Sequence, residues 1–326
     1  MFGQKLFGQK LFGQKSFGQK SVLIVFCGIL VGWVVKTTDG AMVTYSIGNS
    51  LTANLINPYR LAELAASAGQ TPWNADYHIR ANSSLSSFVA QPDLPTDSRF
   101  VPYSTAFAAT HYDAVMLEPS YGATIRQEVA AATQLVHQLR LNSANADTRI
   151  LIYAIWPQIT LASPFQSTWD RQDFTLDTPF APSAMSYELF MQQLRIDVPN
   201  AEIIPAGHVF DAVIDTMNSP GGLPGLTSVS QLIGDGIHAT NAGGYLAGIA
   251  AYSTLYRLTP VGLGNTLGFN DPLQGYVLPA ASVPIVQTIA LGVVSSVPEP
   301  NSWMLVVVVF GLRSITVRSR RVGKSK

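Results

Sequence analysis

Two short segments, far apart in the sequence, carry side chains that could act together as a nucleophile and its base. In the first segment, residues 47–52, Ser50 follows Gly48 between an apolar run and a helical pattern. Glycine allows a sharp turn at this point, and backbone amides in such a turn can stabilise an oxyanion. The spacing differs from the G-x-S-x-G nucleophile elbow. Ser50 or Thr52 could instead serve only as the cap of the following helix.

The second segment, residues 234–238, contains Asp235 and His238 in a glycine-rich turn before another helical pattern. Side chains three residues apart in a tight turn can form a hydrogen bond. A carboxylate bound to one ring nitrogen fixes the tautomer of the imidazole, so the other nitrogen can take a proton from a serine hydroxyl. The alternative is that Asp235 only helps to cap the next helix, for which Thr240 and Asn241 are the candidate cap residues.

Taken together, the two segments resemble the SGNH (GDSL-type) hydrolase family. In that family the nucleophile lies in a G-[DN]-S-[LT] block after the first strand, and the last block reads D-x-x-H. Ser50, Asp235 and His238 match these blocks in order, and the resemblance covers residues 42–257. It implies a serine esterase that works without a cofactor. It also implies a three-layer, flavodoxin-like α/β fold with a five-stranded parallel sheet.

The middle blocks depart from this family. The second block corresponds to residues 82–85, with Asn82 where the family has glycine, and the resemblance assigns the oxyanion hole to the amides of Ser50 and Asn82. The third block has Glu118 instead of the expected asparagine, and we expect Glu118 at the pocket rim or in contact with substrate. Trp156 could stack on a sugar ring or acyl group, or pack in the core. The alternative function is a non-catalytic surface or matrix protein that retains this fold.

Short apolar runs alternate with helical patterns in the segment that would position these residues. Such alternation predicts right-handed crossovers and a parallel sheet covered on both faces, with reactive groups at the carboxyl ends of the strands. The predicted strands span residues 43–47, 77–79, 114–117, 150–155 and 202–205. The predicted helices span residues 55–67, 125–141, 187–196 and 242–258. Residues 258–296 have no helical period and are expected to be an edge segment or a spacer.

The charges exclude one class of partner. More than half of the 20 Lys and Arg residues lie at or before Lys36 or at and after Arg313, whereas all 20 Asp and Glu residues lie between these two positions. The resulting acidic body would repel nucleic acid. Cys27 is the only cysteine, and the sequence contains no H-E-x-x-H or similar cluster, so we expect neither a disulfide nor a catalytic metal.

The two ends of the chain have the pattern of sorting signals. Residues 1–20 repeat a lysine-containing unit of five residues, and the apolar run 22–35 fits the core of a signal peptide or a retained anchor. Residues 297–326 contain Val-Pro-Glu-Pro, an apolar stretch and a basic end, and they resemble the PEP-CTERM sorting signal. This tail would imply processing by signal peptidase and by an exosortase-type enzyme. The protein would pass through the inner membrane to the cell surface or extracellular matrix of a Gram-negative bacterium.

Overall fold

Five strands form one sheet in which every neighbouring pair is parallel, as the sequence predicts. The computed structural model describes residues 41–56, 60–70, 73–94, 101–160, 162–265 and 275–297. The strands are β1 (Met42–Gly48), β2 (Trp73–Ile79), β3 (Ala114–Leu117), β4 (Arg149–Tyr153) and β5 (Glu202–Ile204). Their spatial order is β2-β1-β3-β4-β5, which is the flavodoxin-like order.

The register of the three strands around β1 brings their carboxyl ends to one level. Gly48 of β1 pairs with Ile79 of β2, and Ile47 pairs with Leu117 of β3. The chain leaves β1 toward β2 on one side and later returns to place β3 on the other side. This reversal creates a crevice at the carboxyl edge, where α/β sheets bind their ligands. Ser50 and Glu118 therefore lie just beyond this edge.

Ten α-helices lie within the described ranges and cover both faces of the sheet. They are α1 (Ser50–Ile56), α2 (Arg60–Ser67), α3 (Leu85–Ala90), α4 (Tyr103–Ala109), α5 (Ile125–Arg140), α6 (Phe165–Trp169), α7 (Ala184–Asp197), α8 (Ala206–Asn218), α9 (Asn241–Tyr256) and α10 (Val283–Ser296). Helices α3, α4 and α7 pack against α5, whereas α1, α2, α8 and α10 pack against α9. One helical layer on each face of the sheet gives the three-layer fold class that the sequence predicts.

Helices α5, α7 and α9 begin at polar residues whose side chains cap them. At α5, the Thr124 hydroxyl accepts from the amide of Gln127 while the Gln127 side chain accepts from the amide of Thr124. This reciprocal capping box satisfies amides that have no partner within the helix. Thr240 caps α9, which is buried on nearly every side. A helix that is apolar all round belongs in the middle of a packed structure.

Several element boundaries differ from the sequence prediction. The predicted helix at 55–67 corresponds to α1 and α2, and α1 begins earlier, at Ser50. Strand β4 ends at Tyr153 rather than at residue 155, and Pro205 caps α8 instead of ending β5. Helices α3, α4, α6 and α8 were not predicted. The first three are short, with five to seven residues, so a 3.6-residue period is hardly visible in them.

Residues 258–296, which the sequence predicted to be an edge segment or spacer, contain a packed helix. The structure places α10 in this range, packed on α8 and α9. Its Gln287 is buried and donates to the Tyr245 hydroxyl at 2.7 Å and to the Leu263 carbonyl at 2.6 Å. The Gln287 carbonyl accepts from the amide of Gly262 at 2.9 Å. The helix is apolar on most of its surface, so no polar face marks its period in the sequence.

The leader predicted at 22–35 and the tail predicted after Val297 lie outside the described residues. Within the described ranges, no helix has both the length and the apolar character needed to cross a bilayer.

Replacing Gln287 with leucine tests whether α10 is an integral part of the fold. The substitution keeps the side chain buried but leaves the Leu263 carbonyl and the Gly262 amide without this partner. We expect a loss of about 2–4 kcal/mol in the free energy of unfolding, measured by urea denaturation. Gln134→Leu, at an exposed position of α5, is the matched control and should change the value by less than about 0.5 kcal/mol. Equal stability of the two variants would contradict an integral α10.

Candidate active site

The turn after β1 presents Ser50 to the rest of the site. The side-chain oxygen of Asn49 accepts from the amide of Leu51 at 2.9 Å, and the Asn49 carbonyl accepts from the amide of Ala53. Asn49 thereby caps α1, so this role does not fall to Ser50. The Ser50 hydroxyl lies 3.0 Å from Nε2 of His238, across 188 positions in the sequence.

The turn before α9 joins the imidazole to a carboxylate. Oδ2 of Asp235 lies 2.6 Å from Nδ1 of His238, and Oδ1 accepts from the amides of Ile237 at 2.9 Å and His238 at 2.6 Å. Partial burial acts to raise the pKa of Asp235, but these hydrogen bonds outweigh it and lower the pKa to about 2. Asp235 therefore stays ionised at neutral pH and orients the ring. Because Thr240 caps α9, Asp235 is not needed as the cap of that helix.

This acid–base pair is open to solvent. The side chain of His238 is 43% exposed and that of Asp235 is 57% exposed. A hydrogen bond between two such exposed side chains competes with water and contributes little to stability. Its geometry must therefore be held by the surrounding backbone.

The segment after β4 supplies that support. The indole Nε1 of Trp156 donates to the carbonyl of Ile237 at 2.8 Å, and the amide of Ile159 donates to the carbonyl of Gly236 at 2.7 Å. Trp156 is 1% exposed and stacks on Phe210 of α8. The sequence left two roles open for Trp156, which were stacking on substrate and packing in the core. Its burial corrects the first role and shows that it packs in the core. Trp156 anchors the turn that carries the histidine.

Asn82 lies exposed in the turn after β2, with a φ of 57°. This left-handed conformation favours glycine, and asparagine is among the residues that tolerate it best. The conformation thus accounts for asparagine where the resembled family has glycine. Its contribution to an oxyanion hole stays a prediction.

Glu118 is fully buried, which corrects its expected place at the pocket rim or on substrate. Its Oε2 accepts from the amide of Asn49 at 3.1 Å, from the amide of Thr52 at 3.0 Å and from the Thr52 hydroxyl. The pattern of the sequence showed a carboxylate next to a strand end but gave no indication of the direction in which it points. Glu118 lies beneath the turn that carries Ser50.

A second buried carboxylate near the site was not predicted. Glu128 of α5 accepts from the amides of Leu85 at 3.0 Å, Ser86 at 3.0 Å and Ser120 at 3.1 Å. A glutamate in the first turn of an amphipathic helix has an ordinary role there, so nothing in the sequence separates it from an exposed residue. In the described part of the chain, no group of three or more His, Cys, Asp or Glu side chains is arranged to hold a metal ion.

Comparisons with known proteins are limited to loose structural likeness. No protein-family model matches the chain, and no curated protein matches it in sequence. A catalytic mutant of Axe2, an acetylxylan esterase from Geobacillus stearothermophilus, is similar with a TM-score of 0.40 and 10% identity, over 70% of this chain and 98% of that chain. LAE5, an alpha/beta hydrolase enzyme from the metagenome of Lake Arreo, Spain, is similar with a TM-score of 0.40 and 11% identity, over 68% and 97%. At such scores the likeness carries no conclusion about the activity or substrate of this chain.

Replacing Gly236 with alanine tests how the histidine turn is held. Gly236 has a φ of +88°, and an added Cβ would lie 2.7 Å from the carbonyl oxygen of Ile159. We expect a loss of about 1–3 kcal/mol in the free energy of unfolding, measured by chemical denaturation. Gly262→Ala is the matched control, because Gly262 has a φ of +92° with open space around its Cβ position. A loss at Gly236 no larger than that at Gly262 would contradict a close contact with the segment after β4.

Proposed function

We propose that this protein is a serine hydrolase that cleaves carboxylic esters, with Ser50 as nucleophile, His238 as general base and acid, and Asp235 as the residue that orients His238. The observation that carries the proposal is the continuous line of hydrogen bonds from the Ser50 hydroxyl through both ring nitrogens of His238 to the Asp235 carboxylate. This arrangement is the geometry by which a serine hydroxyl is activated in unrelated hydrolase folds.

The reaction proceeds in two halves. His238 takes the proton of Ser50 as its oxygen attacks the ester carbonyl, and the same proton then passes to the leaving alcohol. The acyl group now forms an ester with Ser50. His238 next takes a proton from water, which attacks this ester and releases the carboxylic acid, and the proton returns to Ser50. Asp235 holds the ring in one orientation throughout and stabilises its protonated form.

The negative oxygen of each tetrahedral intermediate needs hydrogen-bond donors. We assign this role to the backbone amides of Ser50 and Asn82, which follow neighbouring strands at the same edge. Glu118 stands where the resembled family has an asparagine donor, and loss of one oxyanion donor costs about 10²–10³ in rate, so we expect a modest turnover.

For the substrate, we propose acyl esters such as the acetyl groups of extracellular polysaccharide. Half-exposed Asp235 and His238 leave room for a long chain to lie across the site, with a small acyl group toward Ser50. The proposed export of the protein would bring it to such polymers. The class of ester rests on the resemblance of the serine and histidine blocks to SGNH hydrolases.

For the location, we propose export by the N-terminal leader through signal peptidase, followed by sorting through the C-terminal tail. The tail would hold the protein in the inner membrane until an exosortase-type enzyme cuts it near Pro298. The basic residues after the apolar stretch support this orientation, because positive charge favours the cytoplasmic side. The mature protein would then reach the cell surface or extracellular matrix.

Replacing Ser50 with alanine tests the proposed chemistry. We expect kcat for p-nitrophenyl acetate to fall by about 10⁴–10⁶, because removing the nucleophile of a triad leaves only binding and oxyanion stabilisation. Ser167→Ala, at an exposed position of α6, should retain wild-type activity. Equal rates for wild type and Ser50→Ala would overturn the esterase and favour the non-catalytic surface or matrix protein.

The sorting proposal has a separate test in intact cells. Mass spectrometry of the surface-located protein should show a C-terminus near Pro298, because the tail is removed when the protein leaves the inner membrane. Deleting the terminal basic residues Arg318, Arg320 and Arg321 should reduce this processing. A surface protein with its tail intact would contradict the proposal.

A further inference from the structure

Glu118 binds the nucleophile turn on both sides of Ser50. One oxygen of its carboxylate accepts from the amide of Asn49, which precedes the serine, and from the amide and hydroxyl of Thr52, which follow it. The amide of Glu118 itself donates to the carbonyl of Ile47 in β1 at 2.9 Å. Both ends of this residue are therefore attached to the segment that carries the nucleophile.

We propose that Glu118 is a positioning residue for the reaction of Ser50, a role that rests on the proposed hydrolase function. Its carboxylate holds residues 49–52 in the one arrangement that aligns the Ser50 hydroxyl with Nε2 of His238. Because Glu118 is fully buried beneath the turn, it touches no substrate and acts only through the backbone of its neighbours.

Close packing around Gly48 supports this assignment. A Cβ atom at position 48 would lie 2.1 Å from the Thr52 hydroxyl oxygen and 2.7 Å from Oε2 of Glu118. Only glycine lets Thr52 and Glu118 approach each other here. The glycine of the serine block thus serves the contact with Glu118 as well as the turn itself.

Glu128 extends the arrangement to the segment after β2. It binds the amide of Ser120 and the amides of Leu85 and Ser86, while the Ser120 hydroxyl accepts from the side chain of Asn49. Two buried carboxylates thereby join the segments that follow β1, β3 and β2. The turn that contains Asn82 is fixed to the same frame as Ser50.

Burying the ionised carboxylate of Glu118 costs stability, and the groups around it do not fully offset this cost. Burial raises its pKa to about 7, although the hydrogen bonds from Thr52 and Asn49 oppose this shift. The facing titratable groups in the described chain are Tyr153 of β4 and Tyr187 of α7, and burial raises the pKa of both well above the ordinary value, so both stay neutral. A folded-state pKa above the unfolded value means that ionisation destabilises the fold as pH rises toward 7. A charge kept at this cost fits a role in activity.

The test compares Glu118→Gln with Glu202→Gln in the full chain. Glutamine matches the shape of Glu118 but lacks its charge, so the bonds to Asn49 and Thr52 weaken. We expect kcat for p-nitrophenyl acetate to fall by about tenfold or more with KM unchanged, because a small misplacement of a reacting group has effects of this order. The melting temperature at pH 8 should equal or exceed that of wild type, and the difference should grow between pH 5 and pH 8.

Glu202 is the matched control at the opposite end of the sheet. It lies at the start of β5 and pairs with Arg149 at 2.7 Å and with Arg257 at 3.2 Å. Its pKa is lowered because the hydrogen bonds and charges of these arginines outweigh its burial. Glu202→Gln should therefore lower the melting temperature and leave kcat unchanged. Glu118→Gln should therefore change kcat without lowering the melting temperature, and Glu202→Gln should do the reverse.

Thr52→Val provides a second variant that keeps the shape of the side chain and removes one donor to Glu118. We expect a smaller fall in kcat, and the double variant with Glu118→Gln should be no slower than Glu118→Gln alone, since both act on one interaction. Wild-type kcat in Glu118→Gln would overturn the proposal. A joint fall of kcat and melting temperature would also overturn it, because it would indicate a structural role.

Labelling with a fluorophosphonate separates this proposal from the proposed function. If wild type and Ser50→Ala hydrolyse the ester alike, the esterase function fails, and the labelling rate of Ser50 is compared instead by mass spectrometry. Slower labelling in Glu118→Gln than in Glu202→Gln would support the positioning role without the esterase. Equal labelling rates, or no labelling of Ser50 in any variant, would overturn it.

Discussion

The parallel register of β1 with β2 and β3 is the constraint on which the site depends. Ser50 and His238 come from turns at opposite ends of the domain, and a hydrogen bond across this separation needs both turns at one edge. Pairing of Gly48 with Ile79 and of Ile47 with Leu117 fixes the level of that edge. A slip of one residue in this register would turn every side chain of a strand to the other face.

Backbone groups, rather than charges, hold the proposed catalytic residues in place. Asp235 and His238 are half exposed, so their attraction is screened by water. Their turn is held instead by its own carbonyls at Gly236 and Ile237, which accept from the amide of Ile159 and the indole of Trp156. On the serine side, buried carboxylates take up amides that would otherwise lack partners. An unsatisfied buried amide costs about 1–3 kcal/mol, so each of these contacts resists displacement of the loop to which it is attached.

The sequence predicted the parallel sheet because strand and helix periods are local properties. The meeting of Ser50 with Asp235 and His238 was expected only from the resemblance of two motifs to one hydrolase family, and hydrogen bonds do join the three side chains. The sequence was wrong for Glu118 and did not decide between two roles for Trp156, since the same residue type next to a strand end can point toward solvent or toward the core. Only the tertiary packing decides between these directions. Glu128 lay beyond prediction for the same reason, and α10 was missed because its apolar surface shows no polar stripe.

Helix α10 also has a consequence for where the folded domain ends. The helix ends at Ser296, and its buried contacts through Gln287 reach back to α9 and to the segment before α10. A chain that ended before Val283 would lose these buried partners, so the folded domain extends at least to the end of α10.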